Sequence, residues 1–163
     1  MENIKFEKFS KFPKGIMYEL LKDSYSFEAR YEKDWGNEWK KADDFFYNNL
    51  NIADECGFIT TLNDKPIGFI CWDPRNNPKY TEIGHNCIIK NYKRKGYGKK
   101  QLQESIIRIK EKKPQKIIVT TNEGLIPAQK NYESVGFKFV NYRKNPWNKE
   151  YVGRLMDYEL TVD

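Results

Sequence analysis

Between Tyr80 and Ile109 the sequence changes its period once, and it does so through glycine. Tyr80 to Ile89 alternates as a strand does. Lys93-Arg94-Lys95-Gly96-Tyr97-Gly98-Lys99 follows, and Leu102, Ile106 and Ile109 then recur at i, i+4 and i+7, the spacing of an amphipathic helix. A strand that passes into a helix through such a loop leaves the first helical N–H groups without intrahelical partners, at the positive end of the helix dipole. That setting favours an anion, phosphate foremost. Glycine lets the backbone come close to the anion and adopt positive φ. Two other phosphate motifs are excluded by spacing. A P-loop needs four residues between its glycines, whereas one residue separates Gly96 from Gly98. A dinucleotide fingerprint needs a third glycine at the position held by Gln101. An ordinary tight turn has the same letters, so the loop alone assigns no ligand.

Charge adds to the loop. The chain carries a net +6, but Lys90 to Lys116 holds eleven lysines and arginines against two acids, and the remainder is slightly acidic. A basic band suits a phosphorylated cofactor or a nucleic acid, and it equally describes a solvated lysine-rich helix. With 163 residues, 39% of them hydrophobic and 15% aromatic, the chain suits one globular domain over residues 1–163. No apolar run reaches membrane-spanning length, and the first residues lack the apolar core of a secretion signal. Cys56, Cys71 and Cys87 make neither a disulfide framework nor a zinc spacing. The expectation is a cytoplasmic protein without a metal.

The remaining elements follow from period and turn chemistry. Residues 2 to 9 alternate as a strand. Gly15 to Tyr25 is helical, and a second helix is expected from about Asn37 to Leu50 with Trp39, Ala42, Phe46 and Leu50 on one stripe. Phe58 to Thr61 and Ile67 to Trp72 form two strands around the turn Asn63-Asp64-Lys65-Pro66. Ile117 to Thr120 reads as a short strand buried on both faces. Pro127 opens another helix that Gly136 closes, and Phe137–Tyr142 and Tyr151–Thr161 complete the chain as strands.

The loop and this element order resemble the GNAT superfamily of acyl-CoA-dependent N-acetyltransferases. Their pyrophosphate loop reads Gln/Arg-x-x-Gly-x-Gly/Ala, and residues 93 to 98 match it with Lys93 in first place. A second family motif, a short helix ending Tyr-Glu-x-x-Gly-Phe, is met by Tyr132-Glu133-Ser134-Val135-Gly136-Phe137. The resemblance covers about residues 2 to 161. It implies an α/β (α+β) fold: a mixed, mostly antiparallel central sheet of six to seven strands flanked by about four helices. It also implies acetyl-CoA as co-substrate. The amides of Arg94, Lys95, Gly96, Tyr97, Gly98 and Lys99, with Lys93 nearby, would hold the pyrophosphate. A bulge at Asn86, Cys87 and Ile88 would pair with the pantetheine arm, the Asn86 or Cys87 amide facing the thioester oxygen. Tyr132 matches the tyrosine that protonates the leaving thiolate, and Glu82 holds the offset of the histone-type base. Where many members have asparagine ahead of the second helix this chain has Leu125, with Asn122 at the strand end instead.

The acceptor amine is protonated at neutral pH, with a reference pKa of about 10.4. Glu82, His85 or water could take the proton. Alternation puts Glu82, Gly84 and Asn86 on one strand face and Ile83, His85 and Cys87 on the other. Cys87 has no readable base beside it, so direct attack in a ternary complex is expected over an acyl-cysteine. Residues 25 to 47 combine Tyr31, Trp35 and Trp39 with the acids Glu28, Glu32, Asp34, Glu38, Asp43 and Asp44. Such a wall suits a cationic amine, by charge and cation–π contact, and small polyamines, aminoglycosides, amino acids and protein lysines or N-termini all fit that description, a small molecule being expected over a protein. The same residues would equally make a core with a solvated acidic face. Trp147 would line that site or an oligomer contact. Monomer and homodimer are both compatible with the sequence. Two rival functions remain: an acyl-CoA sensor without turnover, and a nucleic-acid-binding domain, for which no stacking motif or recognition helix is present.

Overall fold

The structure is a computed structural model that describes residues 1–146 and 153–163. Among the described residues it has seven strands, β1 (Ile4–Glu7), β2 (Gly57–Leu62), β3 (Lys65–Asp73), β4 (Thr81–Ile88), β5 (Lys116–Asn122), β6 (Lys138–Arg143) and β7 (Leu155–Thr161). Five α-helices accompany them: α1 (Ile16–Ser24), α2 (Ala29–Asn48), α3 (Leu50–Glu55), α4 (Tyr97–Lys110) and α5 (Ile126–Ser134). The strands form one sheet in the order β1-β2-β3-β4-β5-β7-β6. Neighbours β1–β2, β2–β3, β5–β7 and β7–β6 run antiparallel, and β4–β5 parallel. This is the mixed, mostly antiparallel α/β sheet that the resemblance implies, with one more helix.

The chain divides into two compact units. The first comprises residues 1–71 and 85–101. Its β2–β3 hairpin turns on Asn63 and Asp64 alone, both left-handed at φ 50° and 67°. Asn and Asp tolerate that region, and the resulting twist matches the flanking strands. Lys65 and Pro66, expected in the turn, are already strand. Asn63 also fastens β1, since its side chain accepts from the Asn3 amide at 2.9 Å. Phe9, Met17, Leu21, Phe58, Ile59, Ile67, Phe69 and Ile70 make the core of this unit.

Helix α2 corrects the sequence reading. It begins at Ala29, not near Asn37, where the Glu28 side chain caps the Arg30 amide at 3.2 Å. Its buried stripe is Tyr31, Gly36, Trp39 and Asp43, whereas Leu50 belongs to α3 and is exposed. The apolar stripe drawn from Ala42 and Leu50 missed this because a glycine and an aspartate occupy buried positions. Asp43 is 3% exposed, and its carboxylate accepts from the Gly15 amide at 2.9 Å and the Met17 amide at 3.1 Å. It therefore caps α1 from another helix, supplying partners to amides that α1 cannot satisfy.

The second unit comprises residues 72–84 and 102–163. Leu102, Ile106, Ile109, Ile117, Val119, Tyr132, Phe137, Leu155 and Tyr158 are buried in it. Strand β5 is buried on alternate residues, Ile117 and Val119, with Ile118 and Thr120 only half-covered. The expectation of burial on both faces fails because Thr120 turns its hydroxyl to Asp157, at 2.7 Å, on a polar face. Gly136, at φ 104°, follows α5 in the left-handed conformation that closes a helix. Strand β7 is described from Leu155; Tyr151 and Trp147 lie outside the described residues.

Asp43→Ala is expected to lower the free energy of unfolding by about 2 kcal/mol, the scale of a lost cap with two buried hydrogen bonds. Urea unfolding followed by circular dichroism measures it. A loss below about 0.5 kcal/mol would contradict the capping role.

Candidate cofactor-binding and catalytic residues

The glycine loop lies wholly in the first unit. After β4 the Ile89 amide bonds the Ile67 carbonyl at 2.8 Å, and a 3-10 turn covers Lys90–Tyr92. Arg94 and Gly96 are left-handed, at φ 63° and 87°, and α4 starts at Tyr97. The Lys100 amide closes the first helical turn on the Gly96 carbonyl at 3.2 Å. The amides of Tyr97, Gly98 and Lys99 precede that bond and have no intrahelical carbonyl to reach. A Cβ built on Gly96 would meet nothing within 4 Å, so the backbone here faces open space. Alternating backbone handedness ahead of a helix start is the geometry of an anion-binding nest. The residues present therefore fit a pyrophosphate.

The side chains around the loop are individually placed. Tyr97 is buried, and its hydroxyl donates to Glu2 at 2.5 Å. Lys95 lies over the Tyr92 ring at 5.8 Å, and Arg94 and Lys99 are exposed. Lys93 is half-buried. Its ammonium donates to the Ser24 carbonyl at the end of α1 and sits 4.8 Å from the Phe27 ring centre. Burial lowers the Lys93 pKa, with nearby Asp23 opposing that shift. The Asp23 carboxylate itself accepts from the Lys90 amide at 2.7 Å.

The Asn86–Ile88 segment of β4 lies beside a residue the sequence reading passed over. Gln101, on α4, is fully buried. Its amide nitrogen donates to the Phe69 carbonyl (3.0 Å), the Cys87 carbonyl (3.1 Å) and the Asn86 side chain (2.8 Å). Its oxygen accepts from the Thr60 hydroxyl at 2.7 Å. The available signal was the helical stripe Tyr97, Gln101, Ser105, which is buried although two of its members are polar. Cys87 and Cys71 are buried, and burial pushes each thiol up to about 12. Neither is a thiolate at neutral pH, so neither is an activated nucleophile. Burial lowers the His85 pKa, leaving a neutral ring near Phe69.

The acceptor-wall residues also belong to this unit. Trp39 stacks on Tyr25 at 5.6 Å, and Tyr25 lies 5.0 Å from Tyr31. Trp39 and Tyr31 are buried, Trp35 is half-buried, and Phe27 is 57% exposed. Four of the acids are already engaged, Glu28 with Arg30 and Asp44 with Lys14 among them. Asp43 caps α1, and Glu32 accepts from the Tyr18 hydroxyl at 2.6 Å.

The second unit holds the two proposed catalytic side chains and Asn122. Glu82 is half-buried, and its carboxyl is raised by burial first and by Asp73 next, with Arg143 opposing. Arg143 forks onto Asp157 at 2.6 and 2.9 Å, which holds that carboxylate below its usual range. Tyr132 is buried, edge-on to Phe137 at 5.7 Å. The Asn122 side chain accepts from the Gly124 amide at 3.1 Å, an Asx-type turn leading into α5.

The sequence model of the Acetyltransferase (GNAT) family matches residues 16–137, a span that includes both the loop and α5. The chain belongs to the GNAT family. No curated protein sequence matches it significantly. Solved GNAT structures share its fold at low identity. The ribosomal-protein-S18-alanine N-acetyltransferase of Escherichia coli is 16% identical, with a TM-score of 0.72 over 100% of this chain and 95% of its own. The yncA protein of Salmonella typhimurium, solved with its cofactor acetyl-CoA, is 13% identical, with a TM-score of 0.76 over 99% and 94%. A GNAT acetyltransferase of Elizabethkingia anophelis with acetyl-CoA bound is 17% identical, with a TM-score of 0.68 over 99% and 98%. The GNAT fold and its acetyl-CoA-bound neighbours support acetyl transfer in general. Among the described residues, no cluster of His, Cys, Asp or Glu is arranged to hold a metal, and no helix is long and apolar enough to cross a membrane.

Proposed function

We propose that this chain is a single-domain N-acetyltransferase that moves an acetyl group from acetyl-CoA to a small amine by direct attack. The observation that carries the reading is the Arg94–Lys99 cradle, with left-handed backbone at Arg94 and Gly96 and a helix start directly behind. Acetyl-CoA supplies the activated acyl group as a thioester. The amides of residues 94 to 99 hold its pyrophosphate, and the Asn86–Ile88 strand segment orients its arm. Arg94, Lys95 and Lys99 add positive charge without being buried.

Three observations bear on the chemistry. Thiols raised to about 12 at Cys71 and Cys87 favour direct attack over a cysteine-bound acyl group. Glu82 is the proposed base, because desolvation strengthens a carboxylate as a proton acceptor. Tyr132, on the second family motif, is the proposed acid. Tyr31, Trp35 and Trp39 remain the proposed acceptor wall; Tyr31 and Trp39 are buried, Trp35 is half-buried, and the exposed Phe27 beside them already carries the Lys93 ammonium over its ring. Buried thiols at Cys71 and Cys87, outside any disulfide, suit a reducing, cytoplasmic setting.

In wild-type protein, acetyl-CoA is expected to raise the melting temperature, since it binds the folded state selectively. Gly96→Glu sets a side chain and a negative charge in the phosphate path and should abolish the rise. An undiminished rise in a folded Gly96→Glu variant would contradict the assignment. The base is tested with an acceptor found by screening amines against acetyl-CoA with thiol detection. A raised Glu82 pKa means the base form is lost as pH falls through a value above the ordinary carboxylate range. The acid limb of kcat/KM should therefore lie above that range. Glu82→Gln should cut turnover about 100-fold near neutral pH, with recovery as pH rises and the amine deprotonates unaided. A pH-independent defect would argue against a base role.

A further inference from the structure

We infer that Gln101 is the positioning residue that aims the backbone of β4 at the acyl end of the cofactor, an inference that rests on the acetyl-CoA reading above. Its side chain is clamped at both ends. The Thr60 hydroxyl holds the amide oxygen at 2.7 Å, which fixes the amide nitrogen toward Phe69, Cys87 and Asn86. Two protons thereby serve three acceptors, all within 3.1 Å. Carbonyls in a sheet ordinarily take their bonds from backbone N–H groups of the next strand. Here the Phe69 carbonyl of β3 and the Cys87 carbonyl of β4 each take one from a helix side chain.

The local packing requires this arrangement. A Cβ on Gly68 would stand 2.2 Å from the Cys87 carbonyl oxygen and 3.1 Å from the Gln101 oxygen, so only glycine admits the approach. The direction of one peptide then fixes the next. With the Cys87 carbonyl turned toward Gln101, the trans peptide points the Ile88 N–H the opposite way. The Ile89 amide returns to β3, on the Ile67 carbonyl at 2.8 Å. The N–H and C=O of Ile88 therefore face the other edge of β4. An extended amide-bearing chain such as the pantetheine arm can pair with that edge as an added strand. The sequence reading looked to the Asn86 or Cys87 amide for the thioester; the Gln101 clamp points to Ile88 as the residue whose backbone meets the arm. Gln101 touches no part of the cofactor itself. It acts through the Cys87 peptide and the Asn86 side chain.

The test separates the two ends of the cofactor and needs no acceptor. Calorimetry gives Kd for acetyl-CoA and for 3′-phosphoadenosine 5′-diphosphate, which keeps the phosphates and lacks the arm. Gln101→Met, similar in size but without donors, should leave the nucleotide Kd within about twofold and weaken acetyl-CoA about tenfold, the scale of one net hydrogen bond. The amide resonance of Ile88, shifted by acetyl-CoA in the wild type, should shift less in the variant. Thr60→Val releases only the oxygen clamp and should give the same selective pattern at about threefold. It decides the matter if the Met variant does not fold. Equal losses for both ligands, or no loss for either, would overturn the positioning role. Failure of folded wild-type protein to bind acetyl-CoA would instead overturn the cofactor reading, and this inference with it.

Discussion

Helix α4 starts immediately behind left-handed backbone at Gly96, and its first amides, those of Tyr97, Gly98 and Lys99, have no carbonyl of their own helix to bond, a demand that falls on whatever lies in front of the loop. Water can meet it on an exposed loop. A diphosphate meets it better, because the helix dipole and the lysine-rich band add favourable charge. The open space beside Gly96 lets such a group approach the backbone directly. Much of the first unit bears on this loop. The Tyr97 ring is buried and its hydroxyl is tied to Glu2, the Lys90 amide is held by Asp23, and Lys93 is drawn back onto the end of α1.

Buried polar side chains do the positioning that apolar packing cannot. Asp43 satisfies the start of α1 from α2, and Gln101 satisfies carbonyls of two strands from α4. Each of these groups would be costly to bury without its partners, so each specifies one arrangement rather than merely adding contact area. Lys93 belongs to the same class. Its half-buried ammonium is engaged by the Ser24 carbonyl and the Phe27 ring, so the proposed phosphate site rests on the loop backbone rather than on this side chain.

The parts of the fold that were legible in the sequence are those written in local period and turn chemistry. The change from alternation to helical spacing across Gly96 gave β4 and α4, the stretch Asn63-Asp64-Lys65-Pro66 gave the hairpin though two residues too long, and Pro127 with Gly136 bracketed α5. The family resemblance then supplied the mixed, mostly antiparallel sheet and the expected donor, which no periodicity carries. Partners that lie far apart in the chain stayed hidden. Asp43 bonds residues 26 and 28 positions away, and Gln101 bonds residues up to 41 away. A charged or amide residue on a helix gives no local sign of such a partner. The start of α2 was missed for a related reason: Gly36 and Asp43 occupy the buried stripe where apolar residues were sought.

The central claim is that the backbone of residues 94 to 99 is where the acyl donor's phosphates bind. A titration of ¹⁵N-labelled protein with acetyl-CoA, followed by amide resonances, tests it residue by residue. Saturable shifts are expected, largest at the amides of Arg94 to Lys99. Shifts that leave this loop unmoved while another surface saturates would contradict it.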